Sequence, residues 1–97
     1  MKIAAITQDQ LIIKDGVPAP IALIGGFRME RGEWAVHFDT DLGIGQIEYL
    51  DSRSNQMLTI TDYEAHYAWL VAKHAEFIEW QKQQELEQAA QQEQAQQ

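Results

Sequence analysis

Apolar positions along the chain follow two periods, and the change comes near Thr61. Upstream, apolar and polar residues alternate in short runs broken by turn formers; downstream, apolar residues recur every three or four positions. Period two marks a half-buried strand, and a period near 3.6 marks an amphipathic helix. In "EWAVHFDTDLGIGQIEYLD" (Glu33 to Asp51), Trp34, Val36 and Phe38 alternate with Ala35 and His37, and Ile47 and Tyr49 alternate with Gln46, Glu48 and Leu50. "DTDLGIG" sits between them as a turn with two glycines, so the stretch reads as strand, tight loop, strand. "DSRSNQ" (Asp51 to Gln56) is dense in turn formers, and Met57 to Ile60 makes a third strand. The pattern predicts an antiparallel meander over residues 33–60, its inner face carrying Trp34, Val36, Phe38, Ile47, Tyr49, Leu58 and Ile60.

The N-terminal third supplies further strands. "KIAAIT" (Lys2 to Thr7) is a short apolar run, and Leu11 to Lys14 reads as a strand ending at the turn signal Asp15-Gly16. Pro18 and Pro20 exclude a central strand there, because proline donates nothing to a ladder; the segment is an edge or an extended loop. Ile21 to Ile24 has the composition to pair again before Gly25-Gly26 ends it.

The helix is predicted from "TDYE". Thr61 or Asp62 suits the N-cap, and Thr61 with Glu64 has capping-box spacing. Tyr63, Tyr67, Leu70, His74, Phe77 and Gln81 fall on one face. Trp69 and Trp80 lie on a neighbouring stripe, and Val71, Ala75 and Ile78 on a third. This apolar surface is wider than one small sheet covers, which makes Trp69, Phe77, Ile78 and Trp80 the candidate partner-binding residues. From Gln81 the chain runs "QKQQELEQAAQQEQAQQ", with Leu86 its one apolar side chain larger than alanine. Glutamine, glutamate and alanine favour helix, but nothing here can bury a face.

Composition narrows the function. The 97 residues suffice for one small domain. With no cysteine there is no disulfide framework or thiolate metal site. The start, "MKIAAITQDQ", is too short for a signal peptide, and no apolar run approaches the roughly 20 residues that span a bilayer, so the expected location is the cytoplasm. A net charge of -8 repels phosphate backbones and anionic headgroups. Direct nucleic-acid and membrane binding are therefore disfavoured.

Candidate chemistry adds little. Counted as a calcium loop from Asp39, the hairpin turn puts Gly43 fifth, Ile44 sixth and Leu50 twelfth, where the template needs an oxygen ligand, glycine and glutamate. "GIGQIE" has no following helix and ends on glutamate, so it fails as a dinucleotide fingerprint. His66 and His74 are eight apart, not the three or four of a helical metal pair. Glu48 and Asp51 are acids beside a turn, where water is the usual neighbour. The expectation is no catalytic residue, no cofactor and no metal.

"WAVHFDTDLGIGQIEYLD" followed by "ITDYEAHYAWL" resembles a group of small phage and prophage proteins associated with tail fibres, called tail-fibre assembly or tail-accessory proteins. The resemblance covers about residues 11–80 and rests on a Trp-containing strand, a Gly-containing turn, an "IEY" strand and a small helix. It implies a structural or assembly role and no catalytic residues.

The expected fold class is α+β: an antiparallel sheet of about four to six strands with one long C-terminal helix packed on it. Residues 1–80 form one domain, and 81–97 a helical extension or disordered tail. The expected function is non-enzymatic, acting on another protein or on a second copy. The alternative is an acidic phage-encoded inhibitor of a host nucleic-acid-binding protein.

Overall fold

Six antiparallel strands realise the alternation. In the computed structural model, which describes residues 1–95 and side chains as far as Gln92, the strands are β1 (Lys2–Ile6), β2 (Leu11–Lys14), β3 (Val17–Pro20), β4 (Glu33–Asp39), β5 (Ile44–Tyr49) and β6 (Gln56–Thr59). Two helices follow, α1 (Ile60–His66) and α2 (Trp69–Ala95). The sheet order is β3-β2-β1-β4-β5-β6. The first four strands make a Greek key, since the fourth returns to lie beside the first. Then β5 and β6 extend it as the meander expected over residues 33–60.

One face of the sheet carries the core. Ala19, Ile12, Ala5, Val36 and Ile47 form one cross-strand row, and Ile3, Phe38, Gly45 and Leu58 the next. Tyr63, Tyr67, Leu70, His74 and Phe77 close over this face from the helices, all buried. Burial of each large apolar side chain stabilises the fold by about 1.5–3 kcal/mol. Phe38 and Tyr63 stack, their ring centroids 4.4 Å apart and nearly parallel.

Two expected core positions lie elsewhere. Trp34 is the extra residue of a β-bulge, where β4 spends two steps against one on β5. The bulge inverts the alternation, so Glu33 turns inward and Trp34 outward, where its Nε1 donates to Gln8 Oε1 at 3.2 Å. Ile60 opens α1 instead of ending β6 and stays exposed. Ile21–Ile24 does not pair as a strand but winds into a 3-10 helix. Its end is fixed by Gly25 at φ 103, a left-handed conformation that glycine adopts without a side-chain clash.

The N-cap is Thr59, ahead of both expected candidates, and its side-chain oxygen accepts from the Asp62 N–H at 3.3 Å. Thr61 falls inside the first turn, so the capping box with Glu64 does not form. Thr59→Ala should therefore cost about 1 kcal/mol in chemical denaturation and Thr61→Ala almost nothing.

The predicted single helix is broken at Tyr67-Ala68 without glycine or proline. At the break the Trp69 Nε1 donates to the His66 carbonyl at 2.8 Å, the acceptor that the Leu70 N–H would take in a continuous helix. Leu70 and Val71 bond instead to Tyr67 and Ala68, three residues back. Beyond the break, α2 has 27 residues, about 40 Å at 1.5 Å per residue. Its contact with the sheet ends near Trp80, and the Gln-rich remainder projects from the domain as helix as far as Ala95. No helix among the described residues is long and apolar enough to cross a membrane.

Candidate functional site

The aspartate-glycine stretch is a hairpin whose polar groups bond to one another. Asp39 Oδ1 accepts from the Asp41 and Leu42 N–H groups at 2.9 and 3.3 Å. Asp41 pairs with the amino terminus at 3.1 Å, and the Gly43 N–H returns to the Asp39 carbonyl. Gly43, at φ 67, is the turn glycine. Gly45 is not part of the turn but sits inside β5, facing Phe38. Among the described residues no three His, Cys, Asp or Glu side chains converge as metal ligands would.

The four residues expected to meet a partner fall in different environments. Phe77 lies in the core, 3% exposed, so its surface is spent on the sheet. Ile78 and Trp80 pack against the edge of the core and keep part of their surface, with Trp80 tilted against Phe77 at 5.6 Å between centroids. Trp69 is the open one, at 38%, and lies 6.2 Å from the Phe27 ring. Tyr63 and Tyr67, on the same helical face as Phe77, are held above their ordinary pKa by burial, and in Tyr67 also by the hydrogen bond to Glu33. Among the histidines, His74 is buried with Nε2 2.8 Å from the Val17 carbonyl, which ties α2 to the edge strand.

The larger apolar surface is on the other side of the sheet, away from the helices. Pro18, Ile13, Ala4, His37, Gln46 and Met57 form one outward row, and Lys2, Asp39, Ile44 and Thr59 another. All of these but Pro18 and Thr59 line a shallow trough of about 740 Å³, whose apolar lining includes Ala4, Ile13, Ile44, Met57 and Leu42. Ile44, Met57 and Leu42 are 45, 66 and 74% exposed. An antiparallel sheet normally turns a polar face to water, and contiguous exposed apolar surface marks an interaction site. A signal for it existed in the sequence: "LIIK" in β2 and "IGQIEY" in β5 carry large apolar residues on both parities.

A smaller and more polar group gathers where the Phe27–Gly32 loop meets the α1–α2 junction. Glu33, 2% exposed, accepts from the Arg31 N–H through Oε1 and from the Tyr67 hydroxyl through Oε2 at 2.9 Å. The Arg31 guanidinium lies against the His66 ring at 2.7 Å. Arg53 donates to the Arg31 carbonyl at 2.8 Å, stacks 4.0 Å over Tyr49 and bonds Asp51. The hydrogen bond from Arg53 holds the Asp51 carboxyl below its ordinary pKa. Sequence reading missed this group, because Arg31 lies 35 residues from His66 and Glu33 34 from Tyr67, and only the meander and the return of the helices over the sheet bring them together.

No protein-family model matches the chain, and no curated protein or solved structure matches it.

Proposed function

We propose that this chain is a non-enzymatic protein-interaction module that docks another protein on the open face of its sheet. The supporting observation is the trough where Ile44, Met57 and Leu42, three of the chain's exposed large apolar side chains, line one continuous hollow on a sheet face that no helix covers. The occupant fits best as an amphipathic segment of a different protein with basic flanks. A second copy fits poorly, because each copy carries -8 and like charges oppose face-to-face pairing. Area points to a short occupant: six strands of four to seven residues, about 4.8 Å apart, present roughly 500 Å², less than the roughly 800 Å² that one side of a standard interface buries. In the setting that the tail-accessory resemblance suggests, the role is that of an assembly factor engaging a tail-fibre component or a related protein in the cytoplasm of the producing cell.

The test is a nuclear magnetic resonance titration with an amphipathic leucine–lysine helical peptide. Saturable shifts should map to the outward positions of β1, β4, β5 and β6, and Met57→Lys should weaken binding about tenfold, the equivalent of roughly 1.4 kcal/mol. Shifts confined to Trp69 and Trp80 would move the interface to the α2 stripe. Salt separates the remaining reading: apolar docking persists at high salt, whereas an acidic inhibitor of a basic surface loses affinity steeply.

A further inference from the structure

All three arginines of the chain, Arg28, Arg31 and Arg53, lie in the quarter of the molecule around the Phe27–Gly32 loop, while the four lysines are spread elsewhere. Arg53 has an acid partner in Asp51. Arg28 and Arg31 have none within 4 Å among the described residues. That runs against the composition, since fifteen acids accompany seven lysines and arginines. Both arginines line a hollow of about 220 Å³ together with His66, Trp69, Glu30 and Glu33. Neither nearby acid forms an ion pair with these arginines. Glu33 is buried and takes its hydrogen bonds from a backbone N–H and a tyrosine hydroxyl, and exposed Glu30 pairs with neither guanidinium. Arg31 instead rests its guanidinium against the His66 ring, at 2.7 and 3.2 Å from the two ring nitrogens.

We propose that this hollow binds a small oxyanion, a carboxylate or a phosphate, held by Arg31 with Arg28 and His66. A guanidinium presents a planar fork of N–H donors that matches the two oxygens of either group, and charge-assisted bonds of this kind are the strong ones. The backbone carrying Arg31 is fixed at both ends, by its own N–H on Glu33 and by its carbonyl under Arg53, so the fork starts from an anchored position. His66 leaves Arg31 donors free to turn toward a ligand and brings a ring nitrogen to the same spot. Trp69, tilted against Phe27, supplies an apolar wall that shields one side from water. The volume falls below the roughly 300–1,000 Å³ of pockets for drug-sized ligands. It therefore suits a terminal phosphate, a free carboxylate or an acidic side chain, and not a whole cofactor. The site lies on the helix side of the sheet and stands independently of the open face.

The experiment titrates the protein with inorganic phosphate and, separately, with acetate, at fixed ionic strength with chloride as the balancing anion. The readouts are the Arg31 Nε–H and Trp69 indole N–H resonances. Expected is saturable movement of both signals in the wild type, and binding about tenfold weaker, followed at the Trp69 indole, in Arg31→Gln and in Arg28→Gln. Both arginine side chains are exposed, so the variants should keep the wild-type melting temperature; the second guards against an effect of the first on the loop. Saturation by phosphate alone identifies a phosphoryl ligand, and saturation by acetate also identifies a carboxylate. Linear, unsaturated shifts with both probes, or affinities unchanged in both variants, would overturn the proposal.

Discussion

Gly45→Ala is expected to destabilise the protein by about 2–4 kcal/mol, a lowering of the melting temperature of roughly 10–25 °C for a domain of this size. Gly45 sits in β5 opposite Phe38, on the inward row between Phe38 and Leu58. A Cβ there would meet the His37 carbonyl oxygen head-on, and would stand 2.8 Å from Phe38 Cα and 2.9 Å from Phe38 Cδ2. Two of these obstacles are backbone of the neighbouring strand, so relief means parting β4 from β5, the middle of the sheet. The third is the ring that stacks on Tyr63, so the strain reaches the contact between sheet and α1. Gly43→Ala is the control. Its Cβ would meet nothing within 4 Å, and only the positive φ of 67 penalises it, at about 1–2 kcal/mol. Urea denaturation of the two variants checks the order; equal losses would show that the close approach at Gly45 is relieved without parting the strands.

That pair of glycines also shows where the sequence was legible. Both read as turn residues in "DTDLGIG", because glycine marks a turn and a close packing contact with the same letter. The alternation placed Val36, Phe38, Ile47 and Leu58 on the inner face, where they are. It failed at Trp34, since a bulge adds one residue to one strand and no residue type announces it. The helical face Tyr63, Tyr67, Leu70, His74, Phe77 was legible from spacing, while the break at Tyr67 was not: no glycine or proline marks it, and its feature is an indole N–H on the His66 carbonyl. The edge position of β3 followed from Pro18 and Pro20, for proline leaves few alternatives. The candidate sites were the least legible part. The trough appears only once strands distant in sequence lie side by side, and the arginine hollow joins Arg31 to His66 across the whole meander. The tryptophans drew attention to α2 because large aromatic residues are conspicuous in a sequence. In the fold α2 spends Phe77 and part of Trp80 on the core, and the uncovered apolar area passes to smaller residues, Ile44 and Met57.

Tyr67→Phe should cost about 2–4 kcal/mol at neutral pH, although it removes a single oxygen. Tyr67 and Glu33 are each 2% exposed, and the tyrosine hydroxyl is the donor to Glu33 Oε2. Phenylalanine fills the same space but leaves a buried carboxyl oxygen with no partner, and stranding a buried polar or charged group costs more than the hydrogen bond gains. Glu33→Gln should be milder, since an amide can accept from the Arg31 N–H and donate to the tyrosine oxygen. The pH dependence runs the other way. Burial first, and the hydrogen bond to Glu33 second, raise the Tyr67 pKa in the fold above the value of about 10 that the unfolded chain has. A group with a raised folded pKa contributes its full stability below its unfolded pKa and loses it as pH rises through the folded one. Wild-type stability should therefore fall steeply above pH of about 10, helped by Tyr63, which burial raises in the same direction. Tyr67→Phe has no such proton to lose, so the gap between variant and wild type should narrow as pH rises. Denaturation midpoints at neutral and alkaline pH measure this directly, with tyrosinate absorbance appearing together with unfolding. A gap that stays constant would mean that the Tyr67 hydroxyl ionises as easily in the fold as in the unfolded chain, and so is not enclosed.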